Sequence, residues 1–113
     1  MTGSSKPARL VGVVLLLLIC IVSYTLSSPK KHSAKLSWKA STSVVRGYNI
    51  YRATHAGGPY SRINPEVHPS TTYVDSKVVS GITYYYVITA VGPSGVESGY
   101  SNEVVAVIPQ DKH

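Results

Sequence analysis

The stretch that most restricts the fold of this chain is Ile82–Val91, ITYYYVITAV, with Gly81 in front of it and Gly92-Pro93 behind. Taken two residues at a time, Tyr84, Tyr86, Ile88 and Ala90 share one face, and Tyr85, Val87, Thr89 and Val91 share the other. Aromatic and β-branched side chains over ten residues, closed by glycine and proline, make a long strand that is apolar on one face and mixed on the other. We place it at the centre of a sheet.

The segments around it read the same way. Ser33–Ala40 alternates, with Ala34, Leu36 and Trp38 on one face and Lys35, Ser37 and Lys39 on the other. Arg46–Ala53 puts Tyr48 and Ile50 on the same side as Trp38, before THAGGP breaks the pattern. Tyr60–Asn64 has room for a short edge strand stopped by Pro65. Thr71–Asp75 carries Tyr73 on its inner face, and Ser101–Ile108 is the last strand, ended by Pro109. Six short strands separated by turns, with no helical periodicity outside the N-terminus, predict an all-β sandwich.

The N-terminus has a different character. Met1–Arg9 is polar and carries Lys6 and Arg9, and Leu10–Val22 is uninterruptedly apolar, the layout of a secretory signal. As a spanning helix, thirteen residues reach only about 20 Å across roughly 30 Å of hydrocarbon. Extension to Leu26 gives seventeen, with Tyr24 where an interfacial aromatic would sit. Residues 1–26 are therefore expected to be a signal peptide or a single-pass anchor through which the membrane is a partner, with Leu10 to roughly Leu26 as one hydrophobic helix standing apart from the sandwich. Residues 27–32 read as a linker, 33–109 as the sandwich domain and 110–113 as a frayed tail. The domain is expected outside the cytoplasm, membrane-anchored, or secreted if the segment is cleaved. Cys20 is the only cysteine, so no intrachain disulfide braces the core.

Five pieces in order, Leu36-Ser37-Trp38, Gly47–Arg52 (GYNIYR), Tyr73-Val74-Asp75, Gly81–Val91 and Gly95–Ser101 (GVESGYS), resemble a fibronectin type III domain. The resemblance covers Ser33–Pro109 and implies an immunoglobulin-like β-sandwich with strands B (Trp38), C (Tyr48), C′ (Tyr60–Asn64), E (Tyr73), F (Tyr84) and G (Val104). It makes Trp38 the plug between the sheets and puts Tyr84 at the tyrosine corner, where a hydroxyl bonds back to the backbone. Tyr86, two residues on, stands where an immunoglobulin domain has its second cysteine. The family's strand A should precede Trp38, in a place taken by the membrane segment and linker. Strand A is therefore expected to be missing or a stub, leaving strand B as a sheet edge.

Little in the chain points to catalysis. His32, His55, His68 and His113 share no element face, Glu66, Asp75 and Glu97 sit in separate segments, and no serine lies in a Gly-x-Ser-x-Gly elbow. No enzyme activity, metal or cofactor is expected. Net charge is +6, but removing Lys6 and Arg9 leaves nine basic residues against five acidic, with no basic run interleaved with aromatics. That argues against nucleic acid. What remains is a candidate binding face of Tyr51, Tyr60 and Tyr85 on outward phases of strands C, C′ and F, with Arg52 and Arg62 nearby. Cross-strand aromatic pairs that merely stabilise an exposed sheet account for it more simply. The expected role is a non-catalytic extracytoplasmic interaction or spacer module. The alternative is an accessory carbohydrate-binding module, its partner a polysaccharide rather than an extracytoplasmic protein, which would need exposed and nearly coplanar rings.

Overall fold

The computed structural model of the protein describes residues 18–24 and 32–111. Two antiparallel sheets pack face to face. One has the order β1-β2-β5, built from Leu18–Tyr24, His32–Trp38 and Thr72–Asp75. The other has the order β4-β3-β6-β7, built from Ser61–Arg62, Gly47–Ala53, Thr83–Val91 and Val104–Val107. The tyrosine-rich strand β6 lies between β3 and β7, so its ladder is satisfied on both sides.

The alternation of the sequence becomes the core. Ala34, Leu36 and Trp38 from β2 meet Tyr48 and Ile50 from β3 and Tyr84, Tyr86, Ile88 and Ala90 from β6, all buried. Trp38 stands edge-on to Tyr48, ring centroids 5.4 Å apart, so the two sheets interlock through these aromatics. The Tyr84 hydroxyl accepts the Val79 N–H at 2.9 Å, pinning the crossing from β5 to β6. Tyr73 is partly buried against the same core and meets His68 edge-on. At Gly47 the backbone runs so close to His68 and Val67 that any Cβ would collide with the His68 carbonyl, which explains glycine at the head of β3.

The N-terminal expectation needs correction. Residues 10–17 and 25–26 of the expected helix lie outside the described residues, but Leu18–Tyr24 forms a strand, paired with β2 from Leu18↔Trp38 to Tyr24↔His32. Strand A is thus present and β2 is interior to its sheet, not an edge. The physical reason lies in both partners. Ile19, Ile21 and Val22 are β-branched and favour a strand, and β2 without a neighbour would leave a row of backbone donors and acceptors unpaired. Among the described residues no helix is long and apolar enough to cross a membrane. At the other end, the Asp111 carboxylate meets His32 Nε2 at 2.7 Å, and residues 112–113 of the expected tail lie outside the described residues.

The last strand is also shorter than the expected Ser101–Ile108. In β7 regular pairing with β6 runs only from Val104 to Val107. Before it, Ser98 and Ser101 replace the ladder with side chains: the Ala90 N–H donates to Ser98 Oγ and the Ile88 N–H to Ser101 Oγ, each at 2.9 Å. Their own N–H groups return bonds to the Ala90 and Ile88 carbonyls at 2.8 Å. Gly99 and Tyr100, between the two anchors, are free to bulge from the sheet.

Candidate functional site

The bulge determines what the outer face of the β4-β3-β6-β7 sheet presents. Tyr100, 55% exposed, leans over that face and meets Tyr51 of β3 and Tyr60 edge-on, with centroid distances of 5.4 and 5.1 Å. Two glutamates from the same segment staple the arrangement. One Glu97 oxygen, Oε2, accepts Asn49 Nδ2 at 2.9 Å, Thr89 Oγ1 at 2.7 Å and the Tyr51 hydroxyl. Glu103 Oε2 accepts the Gly57 N–H at 2.8 Å and the Tyr60 hydroxyl.

The electrostatics follow from this bonding. Burial opposes ionisation of Glu97, but the bonds from Asn49, Tyr51 and Thr89 outweigh it and hold the carboxyl below its usual range. Burial, then the bond to Glu97, pushes Tyr51 up to about 12. The bond to Glu103 is the larger cause at Tyr60, again up to about 12, and the same bond with the Gly57 N–H lowers Glu103. Both tyrosines thus keep their protons as donors to carboxylates that keep their charge. Between β3, β6 and the bulge lies a depression of ≈ 250 Å³ lined by Tyr51, Thr89, Glu97, Ser98, Gly99 and Tyr100.

The expected face is redrawn in two places. Tyr51 and Tyr60 do converge, but their common neighbour is Tyr100; Tyr85 lies opposite Ala53 and Val105, further along the sheet. Arg52 is on the other side altogether. It shares the phase of Tyr48 and Ile50, donates to Asp75 Oδ2 at 2.8 Å, and lies 5.1 Å from the Tyr84 ring centroid. The Tyr86 hydroxyl donates to the same Asp75 oxygen at 2.6 Å, so Arg52 links the two sheets rather than serving a surface. Arg62 donates to the carbonyls of Asn64 and Pro65 and lies near enough to Glu97 to stabilise its charge. The rings are crossed rather than coplanar, with interplanar angles of 65° and 67°, so they form no flat shelf.

Glu97, Tyr100 and Glu103 were not singled out by the sequence. The available signal was Ser98-Gly99-Tyr100-Ser101, two hydroxyls flanking glycine and tyrosine, which suits a side-chain-bonded bulge.

No family model matches the chain. A segment of the amylopullulanase of Thermoanaerobacter thermohydrosulfuricus is 46% identical over 71 residues, 63% of this chain and 5% of the enzyme, so the chain spans a small fraction of that relative's length. The structure of a Fn3-like protein from Clostridium thermocellum is 35% identical, with a TM-score of 0.66, covering 84% of this chain and 93% of that one. A human fibronectin type III domain solved in solution is 14% identical at a TM-score of 0.68, covering 100% of this chain and 89% of that chain, a likeness of fold alone.

Proposed function

Because this chain belongs to the fibronectin type III family, we propose that it is a non-catalytic module working outside the cytoplasm, as an interaction or spacer domain. The observation that carries this reading is how the side chains capable of chemistry are engaged. Glu97 and Glu103 hold tyrosines, Asp75 holds Arg52 and Tyr86, and these bonds rigidify the domain. Support for an accessory role comes from the match to a small part of a much larger enzyme.

Delivery rests on the apolar run Leu10–Val22 behind Lys6 and Arg9, which addresses the chain to a membrane for anchoring or secretion. Pairing of Leu18–Tyr24 with β2 and burial of the same residues in a bilayer exclude each other at any one moment. N-terminal sequencing of the mature protein, together with fractionation of expressing cells, tests the reading. A protein recovered from membrane or medium is expected; an uncleaved chain confined to the cytoplasm would refute it.

A second reading, contact with a polysaccharide through the Tyr51, Tyr60 and Tyr100 face, is favoured by the identity of the matched relative, an amylopullulanase. Retardation in gels containing amylose or pullulan is its direct test. Migration unchanged in both would count against it.

A further inference from the structure

We infer that the depression beside Tyr100 is a subsite for a single neutral sugar ring, resting on the polysaccharide reading above but narrowing it to one end or branch ring of a glucan. The acceptor is built before any ligand arrives. Three donors, from Asn49, Tyr51 and Thr89, all fall on Glu97 Oε2, while Oε1 has no donor among the described residues. A carboxylate fixed by one oxygen and open at the other accepts sugar hydroxyls without losing side-chain freedom on binding. Tyr100, more than half exposed beside it, supplies an aromatic surface for the apolar C–H face of a pyranose ring.

Size and charge narrow the ligand. A depression of ≈ 250 Å³ is below the range of pockets that enclose drug-sized molecules, and it suits one ring. The 65° and 67° crossings of Tyr100 with its neighbours break any continuous platform, so a second ring would find no aromatic beside the first. Arg62 lies near enough to Glu97 to offset its charge, which disfavours a cationic ligand and leaves a neutral polyol unaffected. Nor is there a group of three metal-ligating side chains among the described residues.

Amide NMR titration of the full chain with methyl α-glucopyranoside and with maltotriose tests this. Shifts are expected at Ser98, Gly99 and Tyr100, saturating with a Kd on the order of 1 mM or weaker for so small a ligand. Maltotriose should bind within about threefold of the monosaccharide, since only one ring is held. Tyr100→Ala should weaken binding about tenfold, and Glu97→Gln, which can keep the bonds from Asn49, Tyr51 and Thr89, several-fold, with melting temperatures showing both variants folded. Shifts confined to another part of the surface, no shift at all, or affinity climbing tenfold or more with chain length would overturn the subsite. The polysaccharide reading is judged separately in the amylose and pullulan gels. Retardation that survives Tyr100→Ala keeps that reading and removes this site; an unretarded wild type removes both.

Discussion

Replacing Arg52 by methionine keeps most of the side chain's apolar length and removes only the guanidinium, so it isolates the charge that joins the two sheets. Asp75 is 4% exposed in its side chain and Arg52 26%. Removing one partner of a fully buried pair costs about 3–5 kcal/mol, because the other charge is stranded. Two features lower that figure here. Arg52 is itself partly exposed, and Asp75 retains the Tyr86 hydroxyl on Oδ2 and the Lys77 N–H, 3.1 Å away, on Oδ1. A loss of about 2 kcal/mol is therefore expected, which for a domain of this size lowers the melting temperature by about 10 °C. The assay is thermal and urea unfolding of wild type, Arg52→Met, Asp75→Asn and the double variant. The cycle should show coupling of at least about 1 kcal/mol. Arg62→Met, whose bonds go to two loop carbonyls, should cost less than about 1 kcal/mol. If Arg52→Met and Arg62→Met melt alike, or the cycle shows no coupling, Arg52 is not tied to Asp75 in solution.

Three further expectations concern separate parts of the molecule. Tyr84→Phe, which orphans the Val79 N–H, should cost about 1–3 kcal/mol in denaturant unfolding, against about 0.5 kcal/mol or less for Tyr85→Phe; equal losses would contradict the strand phase. A chain beginning at Lys30 loses all of β1 and its seven cross-strand pairs, and should be less stable than the whole chain by about 3 kcal/mol, so identical unfolding midpoints would refute β1. Stability should also fall at both extremes of pH. The lowered carboxyl of Glu97 contributes above its unfolded pKa and is lost as pH falls through the lower folded value, whereas Tyr51 and Tyr60 contribute fully below pH 10.0 and lose this as pH rises through about 12. Tyrosinate absorbance followed through that alkaline window would show Glu97→Gln bringing Tyr51 down towards its ordinary value.

The strands with period-two patterns were legible because burial on one face imposes the alternation. Tyr48 and Ile50 in β3, and Tyr84, Tyr86, Ile88 and Ala90 in β6, lie where their phase puts them. Strand β1 was not legible. Leu10–Val22 is apolar at every position, and an unbroken apolar run has no period to separate a strand from a membrane helix; the deciding fact, an unpaired edge on β2, is tertiary. Arg52 illustrates the opposite error. Its phase matched Tyr48 and Ile50, but its charge suggested the surface, and only the placement of Asp75 beside it makes an inward guanidinium tolerable. The Tyr100 cluster depends on a bulge made by two seryl hydroxyls, which no periodicity encodes.

Those two seryl bonds divide β6 into parts of unequal permanence. Val87, Ile88, Thr89, Ala90 and Val91 are all buried, so most of the strand's amides should exchange with solvent only when the whole domain opens. The N–H groups of Ile88 and Ala90 differ, because their acceptors are the hydroxyls of Ser101 and Ser98 in the segment that carries Tyr100. When that segment lifts, these two amides lose their partners while their neighbours bonded to β3 do not. Hydrogen exchange at Ile88 and Ala90 therefore reports the opening of the tyrosine face itself, and anything that seats Tyr100 more firmly should slow those two positions ahead of the rest of the strand.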